Sequence, residues 1–385
     1  MTTDLDFTAL RRWPDVEADN LFAYDASDSL ILDTAAPFFD GATIAVIGDN
    51  YGALTLGALA RTEGTTIRVH QDPLLGELAL AANAKAEGFE GRYTSHALNR
   101  ELLDGATLVL AQVPRSLDEL DETMDAIARW ASPTVTVVAG GRIKHLTSTM
   151  NPVMLRSFES LDVSLARQKS RAFTLRGPRP DGEPRFPVIE RHDDIGLSLA
   201  AHGGAFAGTS IDIGTRLLLS VLRKVGPTTG TAIDLGCGTG VLAASIAVAR
   251  PELAVIATDQ SAAAVASATA TMEANGLGDR VSVVRDDGLY LQPDESADLI
   301  LLNPPFHIGA AVHTGLAERL FEDAARVLKP GGQLWTVFNT HLGYRQALAR
   351  TVGPTELVTH NAKFTVTVST SPTPTDGPRR AAERD

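Results

Sequence analysis

The fold of this chain follows from the stretch T-A-I-D-L-G-C-G-T-G at residues 231–240. Its apolar first half predicts a buried strand, and the glycines that follow predict a tight loop. Residues 241–250 then have a helical pattern. A strand, a glycine-rich turn and a helix in this order are typical of an open α/β sheet, which binds ligands at the carboxyl ends of its strands.

Strand-like and helix-like segments alternate on both sides of this stretch. Alternation of this length predicts a doubly wound, mostly parallel sheet. We therefore expect an α/β fold of two tandem Rossmann-like domains, the second with a seven-stranded, mostly parallel sheet that ends in a C-terminal antiparallel hairpin. The expected N-terminal domain covers residues 1–180, the second domain covers residues 190–370, and residues 371–385 form a disordered tail. Four prolines between Pro178 and Pro187 predict a linker.

The two halves align as an internal repeat. The first half lacks the strand-end acid, the central glycine of the loop, the acid after the next strand and an aromatic ring that the second half has, but it keeps the apolar framework. We interpret it as a duplicated domain whose N-terminal copy kept the fold and lost the chemistry. The matching segments are 46–52 with 234–240, Gln71 with Asp259, and 112–115 with 303–306.

The second copy carries groups suited to a nucleoside ligand. Glycines in the loop let the backbone approach a ligand closely. Asp234, just before the loop, would repel a pyrophosphate and attract an amino-acid ammonium group. Asp259 is placed to bind ribose hydroxyls, and Asp287 to accept a hydrogen bond from an adenine amine. Together these groups predict S-adenosylmethionine rather than a dinucleotide. The predicted cofactor-binding residues are Asp234, Gly236, Gly238, Gly240, Asp259, Asp287 and Asn303.

An apolar strand at residues 297–302 leads into Asn303, Pro304, Pro305, Phe306 and His307. The two prolines stiffen the chain and donate no hydrogen bond, so their carbonyls and the amide oxygen of Asn303 form a rigid group of acceptors. Such acceptors beside the ring of Phe306 suit a flat substrate that carries an NH2 group. We predict that residues 303–306 are catalytic. His307 is left with three interpretations, namely packing, proton transfer or a phosphate contact.

Composition narrows the class of protein. The fractions of apolar (44%) and charged (21%) residues are typical of a globular protein, and the net charge of −13 argues against a broad nucleic-acid-binding surface. Nine basic and four acidic residues lie between Arg142 and Arg185, which is either a solvated face or a local phosphate-binding patch. A single cysteine, no signal-peptide pattern and no long apolar run predict a cytoplasmic protein without a membrane or metal partner, which we expect to be a monomer.

The chain resembles the ribosomal RNA guanine-N2 methyltransferases that have duplicated small-methyltransferase domains. The resemblance covers nearly the whole chain, and residues 339–344 and 359–366 make it closer to the large-subunit type, methyltransferase G, than to the small-subunit type, methyltransferase C. It also includes Phe206 and residues 211–214, although Ala207-Gly208-Thr209 replaces the Ser-Arg pair usual after that phenylalanine. It implies two class I methyltransferase domains and S-adenosylmethionine-dependent methylation of a guanine N2 amine in ribosomal RNA.

Two other classes of function remain open at this point. Enzymes that methylate a protein glutamine amide or adenine N6 share the Asn-Pro-Pro motif with tyrosine after it, and a ribosome-assembly factor would need no catalysis. Phe306 and the duplicated N-terminal copy argue against the first class, and Asp234, Asp259 and Asn303 against the second. We expect the N-terminal copy to hold ribosomal RNA or a ribosomal subunit. Its candidate RNA contacts are Lys144, Arg167, Lys169 and Arg171, with His307 from the second copy.

Overall fold

The structure, a computed structural model, describes residues 5–304 and 310–373, with side chains described for residues 5–304 and 315–373. The chain divides into two compact units. The N-terminal unit comprises Met1–Val188 with His202–Ala205 and Ser261–Ala263, and the C-terminal unit comprises Ile189–Ala201, Phe206–Gln260 and Ala264–Asp385.

The N-terminal unit is built on a seven-stranded sheet of order β3-β2-β1-β4-β5-β7-β6, in which the first five strands are parallel and β6 and β7 are antiparallel. Its strands are β1 Ile44–Ile47, β2 Ile67–His70, β3 Tyr93–Ser95, β4 Leu108–Gln112, β5 Thr136–Arg142, β6 Phe158–Val163 and β7 Ser170–Pro178. Its helices are α1 Ala26–Ala35, α2 Ala53–Ala60, α3 Leu74–Ala86, α4 Arg100–Leu103, α5 Leu117–Trp130 and α6 Met150–Ser157, with short 3-10 turns at Phe7–Ala9, Ala36–Phe38 and Ile143–His145.

The C-terminal unit repeats this plan with the sheet order β12-β11-β10-β13-β14-β16-β15, preceded by a two-stranded β8-β9 sheet. Its strands are β8 Val188–His192, β9 Leu197–Ala201, β10 Gly230–Leu235, β11 Leu253–Asp259, β12 Val281–Arg285, β13 Ala297–Leu302, β14 Leu328–Asn339, β15 Thr355–His360 and β16 Phe364–Thr370. Its helices are α7 Ile213–Ser220, α8 Val241–Ala249, α9 Ala262–Ala274, α10 Ala310–Val327 and α11 Arg345–Thr351, with 3-10 turns at Leu222–Lys224 and Thr340–Leu342.

The central parallel strands of each sheet, such as β1, β4 and β13, are buried on both faces because helices cover both sides of them. In the C-terminal unit, Leu299 and Leu301 face one apolar cluster, whereas Ile300 and Leu302 face another. The period of two along β13 places successive side chains on opposite faces, so both must be apolar. This explains why the central strands, such as β13, are rich in apolar residues on both faces.

The predicted fold class is confirmed, including the antiparallel hairpin β15-β16 at the end of the second sheet. The N-terminal sheet also ends in an antiparallel pair, β6 and β7, which the sequence reading did not assign. The residues predicted as a linker begin at the end of β7, and the β8-β9 pair that follows them was not predicted either.

The register of strand pairing is the same in the two units. Val46 pairs with Leu110 in the N-terminal unit, and Asp234 pairs with Leu301 in the C-terminal unit. Two residues after these partners lie Gln112 and Asn303, which therefore occupy corresponding positions. Val46 also pairs with Val69 as Asp234 pairs with Ala257. The sequence repeat is therefore also a structural repeat, in which the residues that end corresponding strands can be compared directly.

Candidate active site

The glycine-rich loop joins β10 to α8 in a conformation that needs glycine. Gly236, Gly238 and Gly240 have φ angles of +71°, +53° and +77°, a region that side-chain-bearing residues rarely adopt. A Cβ at Gly240 would lie 2.8 Å from Met272 Cε, so this glycine lets α8 pack against α9. A Cβ at Gly236 or Gly238 would meet nothing within 4 Å. The first two glycines therefore border open space that a ligand can fill.

Asp234 is a buried carboxyl group beneath this loop. Its Oδ2 accepts a hydrogen bond from the backbone N–H of Ala243 at 2.8 Å. Its Oδ1 is buried and has no hydrogen-bond partner among the described residues. Burial and the nearby Asp259 carboxylate raise the pKa of Asp234 to about 7. The group is thus poised between its neutral and charged forms, and a bound cation would favour the charged form.

Asp259 ends β11 and braces the same loop, since its Oδ2 accepts a hydrogen bond from Gly238 N at 3.0 Å. The strand-end acids of β12 differ from each other. Asp286 is buried and accepts a hydrogen bond from Leu291 N at 3.0 Å, and burial raises its pKa. Asp287, the predicted adenine contact, forms a salt bridge with Arg319. The three predicted acids, Asp234, Asp259 and Asp287, therefore lie at the carboxyl ends of neighbouring strands, and Asp287 is paired with an arginine.

Asn303 follows β13, and the two ends of its side-chain amide have different surroundings. The Nδ2 group donates to Thr215 Oγ1 at 2.8 Å and to Asp212 Oδ2 at 3.3 Å. The Oδ1 atom is buried and has no partner within residues 5–304 and 310–373. Pro304, the next residue, is buried, whereas Pro305, Phe306 and His307 lie outside the described residues. A buried acceptor without a donor is costly unless a ligand supplies the donor.

Asp212 and Thr215 come from the start of α7 and were missed as functional residues. Asp212 is the N-cap of this helix, and its Oδ2 accepts from Gly214 N at 2.9 Å and from Thr215 N at 3.3 Å. In the sequence, residues 211–214 contribute only to the family resemblance. An aspartate three residues before a threonine at a helix start was the available signal, because it places both side chains on the first turn.

The corresponding amide of the N-terminal unit has no open end. Gln112 Nε2 donates to Asp28 Oδ1 at 2.5 Å, and Gln112 Oε1 accepts from Ser27 Oγ at 3.0 Å. Asp28 is buried, which raises its pKa to about 8. The Ser27 hydroxyl also contacts Asp25 Oδ1, so its single proton is shared between two acceptors. Helix α1 of this unit therefore places side chains against both ends of the amide, and Gln112 Oε1 is covered where Asn303 Oδ1 is not.

The former glycine loop of the N-terminal unit is also occupied by its own side chains. Asp49 accepts hydrogen bonds from Gly52 N at 3.1 Å, Leu54 N at 3.2 Å and Thr55 N at 2.8 Å. Thr55 corresponds to Ala243 in the repeat. Asp49, which lies in the loop, therefore accepts the backbone hydrogen bond that Asp234 accepts at the corresponding position of the C-terminal unit. The Tyr51 hydroxyl donates to Asp15 Oδ2 at 2.6 Å, which ties the N-terminal segment around Asp15 to the loop.

The basic residues predicted to contact RNA lie in the N-terminal unit. Lys144, Lys169 and Arg171 are exposed. Arg167 is also exposed, but its guanidinium lies 2.6 Å from Asp33 Oδ2, which neutralises part of its charge. Burial, followed by the charges of Arg115 and Lys144 among others, lowers the pKa of His145, which indicates that these cations lie near the same ring. The four predicted contacts are therefore exposed, and one of them, Arg167, is in an ion pair.

No described helix has the length and apolar character needed to cross a membrane. The described residues also contain no group of three or more His, Cys, Asp or Glu side chains arranged to hold a metal ion.

Comparison with known proteins agrees with this geometry. The family model named RLMG N-terminal domain matches residues 1–178, and the model named Methyltransferase small domain matches residues 196–368. The ribosomal RNA large subunit methyltransferase G of Streptomyces avermitilis is 35% identical over 95% of this chain and 97% of its own length. The protein of that name from Streptomyces coelicolor is 36% identical over 95% and 98%.

A solved structure shares the two-unit fold. It is a T. thermophilus 16S rRNA N2 methyltransferase in complex with AdoMet and guanosine, with a TM-score of 0.71, 22% identity, and coverage of 90% of this chain and 92% of that one. At this identity the likeness concerns the fold, whereas the relatives at 35% and 36% identity span almost the whole chain. The chain belongs to the ribosomal RNA large subunit methyltransferase G family.

Proposed function

We propose that this protein transfers the methyl group of S-adenosylmethionine to the exocyclic N2 amine of a guanine in large-subunit ribosomal RNA. The observation that carries the proposal is the buried Oδ1 of Asn303, an acceptor with no donor among the described residues. An NH2 group on a flat base supplies that donor. Membership of the methyltransferase G family and the guanosine in the related T. thermophilus complex support guanine as the base.

The residues around the glycine loop fit the cofactor. Gly236 and Gly238 leave open space beside the backbone, and the unpaired Oδ1 of Asp234 suits an ammonium group. Asp259 lies at the loop, where ribose hydroxyls would be bound, and Asp286 and Asp287 directly follow the neighbouring strand β12. Bound there, the cofactor supplies an electrophilic sulfonium methyl group. The remaining work of this chain is to bind, orient and desolvate the acceptor amine.

The main requirement of the reaction is to align the acceptor amine with the methyl group. The lone pair of guanine N2 is delocalised into the ring, so the amine is a weak nucleophile. Hydrogen bonds from its N–H groups to Asn303 Oδ1 and the Pro304 carbonyl would turn the lone pair toward the methyl group. Such alignment is worth up to about 7–11 kcal/mol in well-oriented systems. No strong general base is required, because the N–H becomes acidic once the nitrogen is alkylated.

We further propose that the N-terminal unit holds the RNA. Its own amide and loop are occupied by its own side chains, and it presents exposed basic residues. Phosphate contacts there would supply affinity, while the guanine, unpaired or flipped and stacked on Phe306, would supply specificity. The residues proposed to contact RNA are Lys144, Arg167, Lys169 and Arg171 of this unit, with His307 from the C-terminal unit.

The test is nucleoside mass spectrometry of ribosomal RNA from a strain that lacks the gene. We expect large-subunit RNA to lose N2-methylguanosine at one site and to regain it when the gene is restored. Loss of N6-methyladenosine instead, or no change in any nucleoside, would overturn the proposal.

A further inference from the structure

Asn303 is useful to a substrate amine in only one of its two orientations. A side-chain amide rotated by half a turn has almost the same shape but exchanges an acceptor for a donor. With Oδ1 toward the substrate, the amide accepts an N–H. With Nδ2 toward the substrate, two donors would face each other, and the amine would be repelled. Something in the protein must therefore choose between the two orientations.

We infer that Asp212 selects the orientation and that Thr215 holds the selected NH2 end in place, so that both are positioning residues for the methyl transfer. Thr215 Oγ1 alone cannot decide, since a hydroxyl both donates and accepts. The Asp212 carboxylate only accepts, and it is held in place by two backbone N–H groups of its own helix. It lies 3.3 Å from Asn303 Nδ2, so the NH2 end must face α7 and the oxygen must face away. This inference rests on the proposed function only in naming the amine.

The N-terminal unit has a corresponding arrangement of helix start and strand-end amide, in which the amide oxygen is covered by a side chain. Asp25 caps α1 as Asp212 caps α7. The third residue of each helix accepts a hydrogen bond from the amide NH2 group, Asp28 from Gln112 and Thr215 from Asn303. The second helical residue differs. Ser27 places its hydroxyl, which also contacts Asp25 Oδ1, 3.0 Å from the oxygen of Gln112, whereas Gly214 has no side chain to cover the oxygen of Asn303. In the C-terminal unit the orientation is thus kept while the oxygen is left for a substrate.

The first arm of the test compares two substitutions at position 215 in the full-length protein, with large-subunit ribosomal RNA from a strain lacking the gene as substrate. Thr215→Val keeps the shape and removes the hydroxyl, whereas Thr215→Ser keeps the hydroxyl and removes a methyl group. We expect Thr215→Val to lower kcat about 10- to 100-fold, as small misplacements at a reacting centre do, and Thr215→Ser to stay within about threefold of the parent. S-adenosylmethionine affinity and the melting temperature should change little in either variant. Equal activities for valine and serine would overturn the inference.

The second arm removes the need for orientation. Asn303→Asp has two equivalent oxygens, so a fixed orientation no longer matters. Asp212→Ser retains an N-cap group but is too short to reach position 303. We expect Asp212→Ser to lower kcat at least about 10-fold when residue 303 is asparagine. When residue 303 is aspartate, Asp212→Ser should not lower kcat further, since there the substitution also removes a like charge beside the carboxylate at position 303. The same fold-loss in both backgrounds would indicate a general structural role and overturn the inference.

The two arms keep this inference separate from the proposed function. Nucleoside analysis of the parent reaction reports which base and atom are methylated. If the acceptor is another amine, the proposed function fails while the contrast between Thr215→Val and Thr215→Ser persists. If guanine N2 is methylated and the contrast is absent, only the inference about Asp212 and Thr215 fails.

Discussion

The buried carboxyl group of Asp234 predicts that cofactor affinity depends on pH. Without a ligand its pKa is raised to about 7 by burial and by Asp259, so at lower pH the group is largely protonated. An ammonium or sulfonium ligand prefers the ionised form, and its binding must therefore expel a proton. For a pKa near 7 that falls well below 5.5 on binding, the dissociation constant should increase about 25-fold from pH 7.5 to pH 5.5, or about 2 kcal/mol.

The assay is isothermal titration of S-adenosylmethionine into the protein at several pH values, in buffers that differ in ionisation enthalpy. At pH 6 we expect the release of close to one proton per bound ligand. Asp234→Asn should weaken binding at pH 7.5 and abolish the dependence on pH. Asp49→Asn is the matched control, because Asp49 is the buried loop acid of the N-terminal unit and its pKa is also raised by burial.

The outcome that refutes this reasoning is specific. If the parent binds equally well at pH 5.5 and pH 7.5, or if the slope persists in Asp234→Asn, then the Asp234 carboxyl does not face the cationic part of the ligand. A slope that disappears in Asp49→Asn would assign the cofactor to the other unit.

The remaining predictions separate the roles of the two units. Asn303→Ala and Phe306→Ala should keep cofactor affinity largely intact while kcat falls at least about 100-fold. As the control, Gln112→Ala should leave kcat unchanged. Normal rRNA methylation by Asn303→Ala or by Phe306→Ala would contradict the mechanism. Calorimetry should find one cofactor per chain, because Asp49 and Asp15 engage hydrogen-bonding groups of the corresponding loop, and two per chain would contradict the division of labour. Reversing four basic charges should raise the KM for RNA and flatten its dependence on salt without changing cofactor affinity, and an unchanged KM would remove the N-terminal unit from RNA binding. The four residues are Lys144, Arg167, Lys169 and Arg171.

Much of the fold was predictable because its signals are local. The buried strands β10 and β13 are rich in apolar residues, and the helical spacing of residues 117–130 indicates α5, which runs from Leu117 to Trp130. The hairpin β6-β7 was missed because its strands carry charged, exposed residues such as Glu159 and Arg171, which weakens the alternating pattern of a half-buried sheet.

The site was predictable only in part, since some of its features depend on contacts between distant residues. The order of Asp234, Asp259 and Asn303 along the chain gave the cofactor class. By contrast, the contacts of Asn303 with Asp212 and Thr215 join residues about ninety positions apart. The pairing of Arg167 with Asp33 spans an even longer separation. Sequence patterns report side-chain types and periods, and they do not report which partner satisfies a given polar atom.

The most direct test of the central claim is a reaction of the purified protein with large-subunit ribosomal RNA and S-adenosylmethionine carrying an isotope-labelled methyl group. The RNA is then digested to nucleosides and analysed by mass spectrometry. We predict one labelled N2-methylguanosine per RNA molecule with the parent protein and none with Asn303→Ala. A labelled base other than N2-methylguanosine, or undiminished labelling by Asn303→Ala, would contradict the claim that Asn303 presents an acceptor to the guanine amine.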